Sequence, residues 1–223
     1  MRQVIGEILP FAVIVMVSPI NIVAAILLLF SKRPLLNASC YLAGFLVGVA
    51  AVLTALTLVA GAISLDPGSD RSRGAALVLL VLGVGLVLLA LRKFRQRPGP
   101  DDEPSLPAWM DGIAGFGAGR SLAVGAGIGA GNPKNIAVAM GAAVAISTAG
   151  LPGVQQAVVI LVYVVLASVG VAAPIVAVLA LGDRSSAVLE SWKTWLSRNN
   201  AVMLAVIYLL LGALLIGNNL GTV

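Results

Sequence analysis

Six apolar runs, at about 4–30, 36–64, 74–92, 120–148, 152–181 and 200–217, fill most of this chain. Roughly 20 apolar residues of helix cross the hydrocarbon of a bilayer. Within it, only helices and closed barrels keep every backbone N–H and C=O bonded. Runs of this length predict an all-α integral membrane protein with six transmembrane helices. Several exceed the minimum, which predicts tilt or interruption. Composition agrees: hydrophobic residues make up 60%, charged residues 10%, and mean hydropathy is +1.06. A soluble domain would carry roughly a quarter charged residues. The net charge of +5 is therefore read against the membrane, and nucleic acid is not an expected partner. The first run holds Arg2, Glu7 and Pro10 and no small-x-small cleavage site, so it is expected to stay as a span and not to be removed as a signal peptide.

With six crossings, the loops after runs one, three and five share a face. That face carries ten of the fourteen basic residues: Lys32, Arg33, Arg92, Lys93, Arg95, Arg97, Arg120, Arg184, Lys193 and Arg198. The other face carries Arg2, Arg71 and Arg73. Basic loops stay in the cytoplasm, so both termini are expected outside it, in a multi-pass plasma-membrane protein. Three crossings per half then set residues 1–93 and 119–223 in opposite orientations, the inverted repeat of many secondary transporters. Residues 94–118 join them. Their core of Pro98, Pro100, Asp101, Asp102, Glu103, Pro104 and Pro107 reads as a flexible cytoplasmic linker. Between Asp183 and Arg198, Val188, Leu189, Trp192, Trp195 and Leu196 recur at helical spacing, which predicts a short helix lying in the cytoplasmic interface.

Two of the apolar runs are interrupted in the same way. The first contains Ser18-Pro19-Ile20-Asn21 and the fourth Gly131-Asn132-Pro133-Lys134-Asn135, 114 positions apart (132 − 18). Proline removes a backbone donor and frees a carbonyl one turn earlier. Broken backbone at membrane depth is tolerated only where protein or a wet cavity satisfies it. One such run could be a kink whose asparagines bind a neighbouring helix. Two at matched positions in opposed halves point to a central site, with Pro19, Pro133 and Gly131 breaking the helices. Asn21, Asn132, Asn135 and Ser18 would supply polar groups. Tyr163 is a candidate cavity-lining hydroxyl, with an interfacial anchor the alternative; Tyr41 reads as an interfacial anchor. The glycine pairs Gly125/Gly129 and Gly127/Gly131 have the small-xxx-small spacing of close helix contacts.

Lys134 sharpens the reading. A lysine at the bilayer centre costs about 2.5–3.5 kcal/mol on insertion scales. All nine acidic residues fall in loops or near the ends of the runs, which leaves no acid at mid-depth to balance it. Either the amine is uncharged or it stays charged in a wet cavity and awaits an anion. There is no Walker A run and no histidine, so ATP hydrolysis and the usual proton relays are not expected. With one cysteine, Cys40, neither an internal disulfide nor a His/Cys metal cluster can form. No catalytic group, metal or cofactor is expected, and the chain reads as a transporter, not an enzyme.

These features resemble the glycopeptidolipid- and sulfolipid-addressing proteins, the GAP family of the LysE transporter superfamily. The resemblance spans nearly the whole chain, through the six runs and the paired Ser18-Pro19-Ile20-Asn21 and Asn132-Pro133-Lys134-Asn135 segments. It implies a LysE-like fold of two inverted three-helix repeats, in a plasma-membrane protein that moves cell-envelope lipids towards the surface in actinobacteria. Thiol-carrying relatives use a cysteine in the first span of each triplet; here Cys40 lies in the second and has no mate, so a disulfide relay is not expected. From charge, the expected cargo is an anionic lipid or lipid-linked envelope precursor, held by Asn21, Asn132, Lys134 and Asn135. The alternatives are a LysE-type exporter of amino acids or small organic anions, and a non-transporting scaffold for envelope-lipid assembly. Expected partners are the substrate, membrane lipids, and a second copy of the chain or a lipid-export machinery.

Overall fold

The computed structural model describes residues 1–62, 70–97, 110 and 112–220. The proline-rich acidic core of the linker, the end of the second apolar run and the side chains of Arg71 and Arg73 lie outside the described residues. Among the described residues the structure is all α-helical. Its helices are α1 (Arg2–Met16), α2 (Pro19–Leu29), α3 (Pro34–Ala62), α4 (Asp70–Arg95), α5 (Ala118–Gly131), α6 (Pro133–Thr148), α7 (Gly153–Leu181) and α8 (Ser185–Asn219). The helices cover the six apolar runs, with the first and fourth each divided in two.

The divisions fall at the prolines. A residue before proline is pushed out of the helical region, and Ser18 (φ −77°, ψ 110°) and Asn132 (φ −72°, ψ 117°) are both extended. Pro19 and Pro133 then take the first position of the next helix, where a missing N–H is harmless. At the first break the α1 and α2 axes bend by 51°. Pro10, well inside α1, does not end it.

By length and composition, two helical stretches could cross a membrane: α3 and the stretch Gly153–Gly217, which holds α7 and most of α8. The bent pair α1–α2 makes a third if it counts as one span. Large apolar side chains stand outward on the long helices, among them Leu58 of α3, Val81 of α4 and Leu179 of α7 at 68%, 68% and 67% exposure. Such a surface belongs against lipid.

Helix α8 corrects one expectation. The segment with Trp192 and Trp195 is no separate interfacial helix. A 3-10 turn at Gly182–Arg184, with Gly182 in the left-handed region at φ 53°, ends α7. From Ser185 onward the helix runs unbroken to Asn219. No proline lies in that stretch and its first glycine is Gly212, so nothing stops the polar first turns from continuing into the apolar part.

Packing exchanges elements between the halves. Helix α3 lies on α5 and α6, while α7 lies on α1 and α2; α1 also meets α6, and α4 pairs with α8. The α3–α5 contact is backbone to backbone. A Cβ on Gly44 would meet the Leu122 carbonyl and one on Gly48 the Ala126 carbonyl. Reciprocally, Gly125 faces the Tyr41 carbonyl, and Gly129 would put a Cβ 2.7 Å from Phe45 O. Residue numbers rise together along both helices, so they run parallel, with a small-xxx-small pair on each. Gly127 and Gly131, the other pair expected to pack, face open space.

One end of the bundle gathers the α2–α3 turn, the approach to α5 and the first turns of α8. Asn37 Nδ2 donates to Ser31 Oγ at 2.8 Å and to Phe116 O at 2.9 Å. Lys193 Nζ stands 5.8 Å from the centre of the Phe30 ring, and the Arg120 guanidinium 5.1 Å from that of Phe116. Such cation–ring contacts add modest attraction at the margin of an apolar bundle.

Candidate functional site

Where α1 stops, its last carbonyls lose their helical partners. Pro19 has no N–H to give Val15 O, and Ser18 N–H fills that place at 3.3 Å. The Ile14 carbonyl, passed over by Ser18, accepts a hydrogen bond from Lys134 Nζ at 3.3 Å. Two residues on, the Met16 carbonyl sits against Gly170 of α7, where a Cβ would overlap it. Tyr41 of α3 donates from its hydroxyl to Asn21 O at a long 3.4 Å. The first break is thus bonded from α6 and α3 and packed closely against α7.

The second break is finished from within. Asn132 caps α6, its Oδ1 accepting Lys134 N–H at 3.0 Å. Asn135 Nδ2 reaches back to Ile128 O at 3.1 Å. Satisfying such carbonyls matters because an unmet backbone group away from water costs as much as a lost hydrogen bond.

The expected site residues are therefore mostly central. Lys134 and Asn135 are each 3% exposed and Asn21 is 1% exposed; Ser18 and Pro19 are buried too. Lys134 joins the two breaks directly. Among the described residues Asn21 finds no side-chain hydrogen bond through either amide atom, and Asn135 Oδ1 and the Tyr163 hydroxyl are likewise buried without partners. Tyr163 lies in the core of α7 with no described bond to either break. Gly131 and Pro133 are exposed beside theirs, and Asn132 is half-buried. Tyr41 is corrected from interfacial anchor to core: it is fully buried against the first break. Among the described residues, no three His, Cys, Asp or Glu side chains gather where they could hold a metal.

Two apolar clefts flank α7. One, of about 420 Å³, is lined by Ile22, Gly170, Ala173, Ser191, Trp192, Trp195 and Leu196. It reaches the first break from outside, since Ile22 follows Asn21 and Gly170 touches Met16. The other, of about 460 Å³, lies between α3 and α7 and includes Thr54, Thr57, Gln156 and Leu161.

Sequence reasoning missed the partner of Lys134, because it searched for an acid and the partner is a carbonyl. It also missed Gly170, Gly44 and Gly48; the last two carry the small-xxx-small spacing noticed only in α5.

The family model described as Sap, sulfolipid-1-addressing protein, matches residues 8–221. No curated protein and no solved structure matches the chain.

Proposed function

Because the chain belongs to the sulfolipid-1-addressing protein family, we propose that it moves an anionic envelope lipid across or out of the plasma membrane. Six membrane crossings, in two inverted LysE-like halves, would form the carrier. The helical order supports this: a broken pair and two long helices, then the same again. The exchanged packing of α3 on α5–α6 and α7 on α1–α2 supports it as well. The gathering of Arg120, Lys193 and the α2–α3 turn at one end agrees with a cytoplasmic basic face, which sets both termini outside.

In this reading Lys134 is the counter-charge for the headgroup. Asn21, Asn132 and Asn135 are the polar groups around it, and Pro19 and Pro133 hold the breaks open. An ammonium bonded to a single carbonyl keeps donors to offer, since lysine has three.

The observation that favours a lipid over a small metabolite is the cleft of Ile22, Gly170 and Trp192. It is apolar, open at the side of the bundle, and it ends beside the first break. An acyl tail can lie there while its headgroup approaches the centre. A carrier of amino acids needs no such side opening, and a scaffold needs no lysine at the core.

Reconstitution into liposomes with a labelled anionic lipid tests the reading. Wild type is expected to equilibrate the lipid between leaflets, and Lys134→Met to fold but not to transport it. Equal transport by that variant would remove Lys134 from the mechanism. Tags on the two termini of cells expressing the protein are expected to react only with external reagents; labelling from the cytoplasm alone would reverse the orientation.

A further inference from the structure

Ile128 and Asn135 stand 114 positions after Ile14 and Asn21 (128 − 14, 135 − 21), the same offset that separates the two broken runs. Within each pair the separation is seven residues. In the second half, Asn135 caps Ile128 O. In the first half the corresponding cap is missing: Lys134 holds Ile14 O from across the molecule. Asn21, in the place of Asn135, is buried and finds no partner for either amide atom among the described residues. A buried amide without a partner is an expense that a fold retains only for a reason.

We propose that Asn21 is a second cap for the Ile14 carbonyl, used when an oxyanion draws the Lys134 ammonium away. The inference rests on Lys134 being the counter-charge. It explains how that lysine is released without stranding a carbonyl. At rest, Lys134 closes the first break and stitches α6 to α1. When an oxyanion binds, Asn21 Nδ2 closes the break as Asn135 closes the other. Each half then caps its own carbonyl, and the stitch between α1 and α6 is gone. The ligand favours this form because here all three donors of the ammonium can turn to it, which is the differential contact a population shift needs. Headgroup binding and loosening of the two halves thereby become one event.

The test uses the purified full chain in detergent, titrated with inorganic phosphate and, separately, with a short-chain phosphatidic acid. Binding of both would place recognition in the oxyanion alone; binding of the lipid only would add a requirement for its tails. Either supports the exchange if the variants behave as follows. Asn21→Leu weakens binding about tenfold, because the released carbonyl stays uncapped, while its melting temperature without ligand stays at or above wild type. Asn21→Gln, which keeps the amide, binds more tightly than Asn21→Leu. Asn135→Leu lowers the melting temperature with and without ligand, since its bond to Ile128 O is common to both forms. Lys134→Met ends binding of both probes. If Lys134→Met still binds, the counter-charge reading itself fails. If it does not bind but Asn21→Leu binds like wild type, or loses resting stability as Asn135→Leu does, the exchange is wrong and the counter-charge stands.

Discussion

The two breaks are built from nearly the same letters and completed in opposite ways. Asn132 and Asn135 finish the second from within its own helix pair. The first has Ser18 and Asn21 in those places, yet its carbonyls take a bond from Lys134 and a weak contact from Tyr41, while Gly170 only leaves room for Met16 O. Ser18 makes no side-chain cap bond, whereas Asn132 does. A repeated sequence motif therefore fixes where the chain breaks, and the surroundings fix who seals it. The second break is local structure; the first is tertiary structure.

The sharpest way to separate them is Gly170→Val. Its side chain would take the space of the Met16 carbonyl, and the α1–α7 contact would have to open. A loss of more than about 3 kcal/mol is expected, above the usual range for overpacking because the obstacle is backbone. Hydrogen exchange would follow it. Protection should fall across α1 and α2 and persist at the start of α6; a uniform fall would mean that the breaks are not independent.

Asn132→Ala attacks the other side of the comparison. It removes a helix cap, for which about 1 kcal/mol is expected, with increased exchange confined to the first turn of α6. A thermal melt that moves while the α1–α2 amides stay protected would confirm the local character. The smallest effect belongs to Tyr41→Phe. At 3.4 Å its hydrogen bond is at the limit of useful geometry, and about 0.5 kcal/mol is expected. A loss several times larger would make Tyr41 a main support of the first break.

Much of this was legible in the letters. Proline and its neighbour dictate local backbone geometry, so both breaks could be placed to the residue from Pro19 and Pro133. The apolar runs give the helices for the same reason: in hydrocarbon the backbone has no other outlet. What escaped was mostly contact with backbone, which has no letter of its own. The Ile14 carbonyl that receives Lys134 is invisible in the sequence, as is the Met16 carbonyl that makes Gly170 necessary. Tyr41 was misplaced because tyrosine is common both at bilayer margins and in polar cores, and only packing separates the two. The Trp192–Trp195 segment was cut off from α8 because its polarity changes there, although its helical propensity does not.

The bond from Lys134 to Ile14 spans 120 residues of chain. A ribosome adding about 5–20 residues per second takes on the order of ten seconds to supply that lysine after Ile14 has been made. During that interval the amino-terminal helix pair has a carbonyl without its lysine. It must be sheltered by Asn21, water, lipid headgroups or the insertion machinery until Lys134 arrives, so the nascent chain completes its first segment only after much of its second half has been synthesised.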